Sequence, residues 1–161
     1  MITVNTHEDL PRRRPVLVGY IDFPRELQFT RYTCGPCCTY AIASFFGADV
    51  SYTEVLDAVG TTSEGTAEGP IVRFLRSCDL RVAPRERLSW LGLVRALKRG
   101  NVVLVGLDDD HYGVVHAIDE DEDIVYLADP SVRRQLRRWT PIQRFKQRWM
   151  NDGVIVRPRH E

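Results

Sequence analysis

The sequence predicts a single α+β domain, and three observations carry the prediction. Helical periodicity fills roughly the first hundred residues and period-two alternation follows it. The chain of 161 residues suffices for one sizeable core but not for two ordinary domains. Helices first and antiparallel strands afterward differ from the alternation of a doubly wound sheet.

Taken in order, residues 1–14 are polar and rich in arginine, and read as an arm. Pro15 to Tyr20 forms a short strand. Cys34 to Phe46 reads as a helix: Pro36 suits the first turn, where a missing N–H costs nothing, and Gly47 is a natural stop. Ala41, Ile42, Phe45 and Phe46 give that helix an apolar surface. Ser51 and Glu54 make a capping box for a short helix ending near Gly60. A loop rich in glycine and threonine leads to a helix from about Glu68 to Ser77. Ser89 caps the next helix, Trp90 to Arg99, which Gly100 closes. Asn101 to Leu107, His111 to Ile118 and Ile124 to Asp129 read as strands, the last two joined by an acidic turn. Thr140-Pro141 starts a final helix through Trp149, and Gly153 to Val156 is a closing strand.

Bulk properties exclude several function classes. With 22 basic and 22 acidic residues, no global field recruits nucleic acid or an anionic membrane. The arginine runs at 12–14 and 133–138 read as solvated surface. The longest apolar runs reach only strand length, so no membrane segment is expected, and nothing after Met1 has the pattern of a secretory signal. Three of the four cysteines fall within five positions, which is no disulfide framework. A reduced, cytoplasmic protein without a cofactor or metal is the expectation.

The chemistry centres on Cys34-Gly35-Pro36-Cys37-Cys38. As Cys-x-x-Cys it resembles the thioredoxin motif and suggests a thiol–disulfide oxidoreductase using Cys34 and Cys37. The polar residues before it, Gln28 to Thr33, do not make the strongly hydrophobic strand that such a motif follows. As a cysteine opening a helix, Cys34 suits nucleophilic catalysis, because unpaired amides and the helix dipole favour thiolate. Gln28 can present an amide N–H to a developing oxyanion, beside the backbone amide of Cys34. If the strand pair after Asn101 turns about Glu120, His111 stands directly opposite Asp129, about 4.5–5.5 Å apart at Cβ, and the aspartate can orient the imidazole. That register puts His116 on the other face, opposite Ile124, as the weaker base. Asp108, Asp109 and Asp110 lack calcium-loop spacing and are expected to raise the pKa of His111 or to attract a basic substrate.

These residues together resemble the peptidase C39-like domains of the papain-like cysteine peptidase superfamily. Gln28, five intervening residues and Cys34-Gly35-Pro36 follow the family pattern, as do His111-Tyr112-Gly113-Val114-Val115 and Asp129-Pro130. Gly65-Thr66 before a helix, and Phe145 with Trp149, extend the resemblance over about residues 25–157. It implies a papain-like fold with the N-terminal helical half packed on an antiparallel sheet. It also implies Cys34 as nucleophile, His111 as base, Asp129 as orienting residue and Gln28 as oxyanion donor, acting on a peptide or peptidyl substrate. Hydrolysis of an amide or thioester is the leading expectation. Acyl transfer from the same acyl-enzyme, and a catalytically silent module binding a peptide or partner protein, stay open.

Overall fold

A computed structural model describes residues 17–160 of the chain. The arm expected over residues 1–14 lies outside them. In chain order the elements are β1 (Leu17–Gly19), α1 (Cys34–Phe45), α2 (Tyr52–Val59), α3 (Glu68–Ser77), β2 (Leu80–Arg85), α4 (Trp90–Lys98), β3 (Val102–Leu107), β4 (His111–Asp119), β5 (Ile124–Ala128), β6 (Trp139–Pro141), α5 (Ile142–Arg148) and β7 (Gly153–Pro158). All strand pairs are antiparallel, in the order β2-β7-β3-β4-β5-β6. β1 pairs with the far end of β4, on the edge that β3 leaves uncovered beyond Val115.

The sheet is buried on both faces, and the alternation of its strands sorts the core into two layers. Val102, Leu104, Val114, Val154 and Val156 meet Ile42 of α1, Val55 of α2 and Leu75 of α3. Val103, Val105, Leu107, Val115 and Leu127 meet Leu93 and Leu97 of α4 and Phe145 of α5. The near-continuous apolar run of β3 is what a strand needs when neither face meets water. α4, which precedes β3 in sequence, therefore crosses to the face opposite α1–α3.

Local chemistry forms the helices where it was expected to. Ser51 Oγ accepts from Glu54 N, the Glu54 carboxylate accepts from Ser51 N, and Gly60 closes α2 at φ 66°. Ser89 Oγ accepts from Gly92 N at the start of α4. The last helix begins later than the Thr140-Pro141 signal implies. Trp139–Pro141 is a strand in which Thr140 pairs with Val125, and Pro141 caps α5. β2 is a further strand the sequence reading leaves out. Only Leu80 and Val82 of its six residues are buried, and Pro84 is tolerated because β2 lies at the sheet edge.

Candidate active site

Helix α1 opens at Cys34 with no side-chain cap on its first amides. The residue before it, Thr33, turns its hydroxyl back to Thr30 O at 3.2 Å. The uncapped turn leaves backbone N–H groups at the cysteine, the arrangement that stabilises negative charge. Gly35 is required there, because a Cβ would stand 2.7 Å from Thr66 Cβ. Thr66 is itself held: its hydroxyl meets Thr61 Oγ1 at 2.7 Å, and its carbonyl accepts from Tyr112 Oη at 3.1 Å. The Gly65-Thr66 loop thus presses on the helix start and fixes where Cys34 sits.

His111 begins β4 and Asp129 follows β5 directly. His111 Nε2 lies 2.6 Å from Asp129 Oδ1, and both side chains are buried. The register behind this contact corrects the expected one. Val114 pairs with Ala128 and Val115 with Leu127, which puts Gly113, not His111, in line with Asp129. The slip is two residues, so His111 keeps its face and reaches Asp129 diagonally. His116 falls in a bulge between Val115 and Ala117 and faces no partner across the ladder. It sits 2.5 Å through Nδ1 from Tyr20 O and stacks on Phe23, and burial pushes its pKa down to about 4.

With Nε2 committed to Asp129, the other ring nitrogen of His111 is left open, and Cys34 is near enough to the imidazole to favour its protonated form. Burial works to lower the His111 pKa, but the bonds and charges of Asp129 and Cys34 outweigh it and raise the group to about 9. Burial likewise opposes ionisation of Asp129. Its bonds from His111, the Ser131 amide and Arg148 win, and hold the carboxyl below its ordinary value. Asp129 O accepts from Arg25 Nε at 2.8 Å, so the main chain of the aspartate is also anchored.

Gln28 is placed differently. Its amide N–H reaches Pro130 O at 3.0 Å, which ties it beside Asp129. Its side-chain Nε2 donates to Thr30 O at 2.6 Å, and its buried Oε1 has no hydrogen-bond partner. Gln28 is not among the residues lining the cleft over Cys34. That cleft, about 620 Å³, opens onto Cys34, His111 and Tyr112, with Glu64, Asp109, Asp110, Asp152 and Arg31 around it. The structure therefore brings Cys34, His111 and Asp129 together and leaves Gln28 behind them.

A profile of the Peptidase_C39 like family matches residues 20–154. The chain belongs to that family. Among curated proteins none is a significant match. Solved structures share the fold at low identity. A putative C39-like peptidase from Bacillus anthracis aligns with TM-score 0.73 and 14% identity, over 90% of this chain and 99% of that one. A double glycine motif protease from an AMS/PCAT transporter, solved in complex with the leader peptide, gives 0.71 and 15% over 87% and 94%. The peptidase domain of Streptococcus ComA, a bi-functional ABC transporter of a quorum sensing pathway, gives 0.71 and 16% over 84% and 98%. The papain-like α+β fold expected from the sequence is thereby established, and the chain is a cysteine peptidase-like hydrolase by family. No helix among the described residues is long and apolar enough to cross a membrane.

In this C39-like domain the other thiols are set apart from Cys34. All four cysteines are free. Burial pushes Cys37 up to about 11 and Cys38 well above the ordinary thiol value, so neither is ready to attack a disulfide at neutral pH. Among the described residues, no group of three or more His, Cys, Asp or Glu side chains could hold a metal ion. The feature the sequence reading missed is Arg148. Its guanidinium lies 3.2 Å from Asp129 Oδ2 and 2.9 Å from Asp108 Oδ2. Nothing in the spacing of an arginine at the end of the last helix announces a contact with a residue nineteen positions earlier.

Proposed function

We propose that this C39-like domain is a cysteine hydrolase that cleaves an amide or thioester of a peptide substrate through Cys34, His111 and Asp129. The observation that carries the reading is the 2.6 Å His111–Asp129 contact, with Cys34 on the same imidazole, at the floor of an open cleft. An imidazolium that persists to about pH 9 is the counter-ion that a cysteine thiolate needs. The sulfur attacks the substrate carbonyl. The unpaired amides of α1 stabilise the tetrahedral oxyanion; Gln28, whose Nε2 is bonded to Thr30 O, would join them only by turning from that bond. His111 then protonates the leaving group, the acyl group stays on Cys34, and His111 takes a proton from water to release it. An amine in place of that water would give acyl transfer. Asp129 stays ionised throughout and holds the ring. Four free cysteines fit a reducing compartment, the cytoplasm.

Iodoacetamide labelling across pH, read by peptide mass spectrometry, tests the pair. Cys34 should react fastest below pH 7, and His111→Ala should abolish that advantage. Labelling led by the half-exposed Cys78, unchanged in His111→Ala, would sink the hydrolase reading in favour of a silent peptide-binding module. A panel of peptide and thioester substrates, with and without an added amine, then separates hydrolysis from transfer.

A further inference from the structure

We propose that Arg148 is a positioning residue for the reaction: by holding Asp129 Oδ2 it keeps Oδ1 on His111, takes up part of the carboxylate charge, and so governs how tightly His111 keeps its proton. The role rests on the proposed Cys34–His111–Asp129 arrangement and adds a fourth member to it.

The geometry is specific. Asp129 is fully buried, and its two oxygens are divided among three partners: Oδ1 meets His111 and accepts from the Ser131 amide, while Oδ2 accepts from Arg148. A buried carboxylate with one loose oxygen could rotate away from the imidazole; with both engaged it cannot. Arg148 is in turn fixed from two sides. Its guanidinium donates to Asp108 Oδ2, and its carbonyl accepts from Asp108 N at 2.9 Å. The short bridge of Leu107 with Trp149 continues the same contact, so the end of α5 is sewn to the end of β3. Asp108 adopts φ 54° and Asp109 φ 67°, a left-handed turn that aspartate tolerates and that brings the Asp108 carboxylate to the arginine.

The charge arithmetic gives the direction. Asp129 feels His111 and Arg148 at once, and the arginine offsets part of the negative charge that the imidazolium would otherwise see alone. Other charged groups around the pair are Cys34 from α1, Arg25 on the Asp129 carbonyl, Asp108 and Asp110 before β4, and Arg134, which pairs with Asp110 at 2.8 Å. Arg148 is the one among them that donates to the Asp129 carboxylate itself. Removing it leaves the imidazolium facing an uncompensated carboxylate, so His111 should hold its proton more tightly.

The test is the titration of the His111 ring in the full chain by NMR, with its signal identified by loss in His111→Gln. This readout needs no turnover. Arg148→Gln should move the midpoint upward from about 9, tightening proton binding roughly tenfold, and Arg148→Lys should restore most of the shift. Asp108→Asn is a second variant that leaves Arg148 to Asp129 alone, and should move the midpoint downward. Midpoints that stay together in all three variants while thermal stability falls would overturn the proposal, leaving Arg148 as a helix anchor only. An unreactive Cys34 alongside an Arg148-dependent titration would sink the hydrolase reading and leave the positioning role standing.

Discussion

At His111 two effects oppose each other, and the balance decides the pH behaviour. Burial disfavours the imidazolium, while Asp129 and Cys34 favour it more, so the proton stays until about pH 9. A raised pKa contributes stability that is full below the unfolded value near 6.5 and is lost as pH rises through about 9. Under the proposed mechanism, the alkaline limb of kcat/KM on a peptide or thioester substrate should fall near pH 9. Asp129→Asn should bring that limb down toward neutrality and cost about 10²-fold or more in kcat. A limb that stays near pH 9 in the asparagine variant would show that another group governs it. Both residues were legible in the sequence because His-Tyr-x-Val-Val and Asp-Pro sit at strand ends. Arg148 was not, since its role comes from where α5 lands and not from any local pattern.

At the scale of elements, the turn between Asp119 and Ile124 lies further along the chain than expected and shifts the register by three residues; the bulge in β4 takes one back, and the remaining slip of two keeps His111 on the face of Asp129. Tyr20 clamps His116 through two main-chain contacts: Tyr20 N donates to His116 O, and Tyr20 O faces the imidazole Nδ1. Gly19, at φ 94°, leaves the room for this, since a Cβ there would collide with the His116 carbonyl. The local sequence of β4 cannot announce such a bulge, because the contact that accompanies it comes from β1, about a hundred residues earlier in the chain. Helices capped by their own neighbours, such as those at Ser51 and Ser89, were readable for the opposite reason. Edge strands β2 and β6 carry too few inward residues to alternate visibly. The bulge has a measurable signature. His116 is buried and its pKa is lowered to about 4, so the unfolded chain takes up the proton first as pH falls from about 6.5. Stability should drop across that window by up to about 3 kcal/mol, measured by chemical denaturation, and His116→Gln should flatten the drop. An equal acid loss in that variant would place the cause elsewhere.

At the scale of the molecule, charge is balanced in total but not in place. The 22 acidic and 22 basic residues cancel, yet four carboxylates and one guanidinium line the cleft over Cys34. Field lines focused by such a cleft favour cationic ligands even on a neutral protein. Peptides with lysine or arginine beside the scissile bond should therefore show lower KM than their glutamate counterparts. The gap should narrow as salt shortens the Debye length from about 30 Å to about 8 Å. Equal KM values at low salt would remove the acidic lining from any account of specificity.

The order in which the pieces are synthesised adds one consequence. Cys34 leaves the ribosome first, His111 and Asp129 follow, and Arg148 arrives last on α5. The nascent chain thus carries Cys34 long before the carboxylate gains its second anchor, and that anchor forms only when α5 docks at the end of β3. Completion of the Asp129 anchorage is tied to completion of the fold.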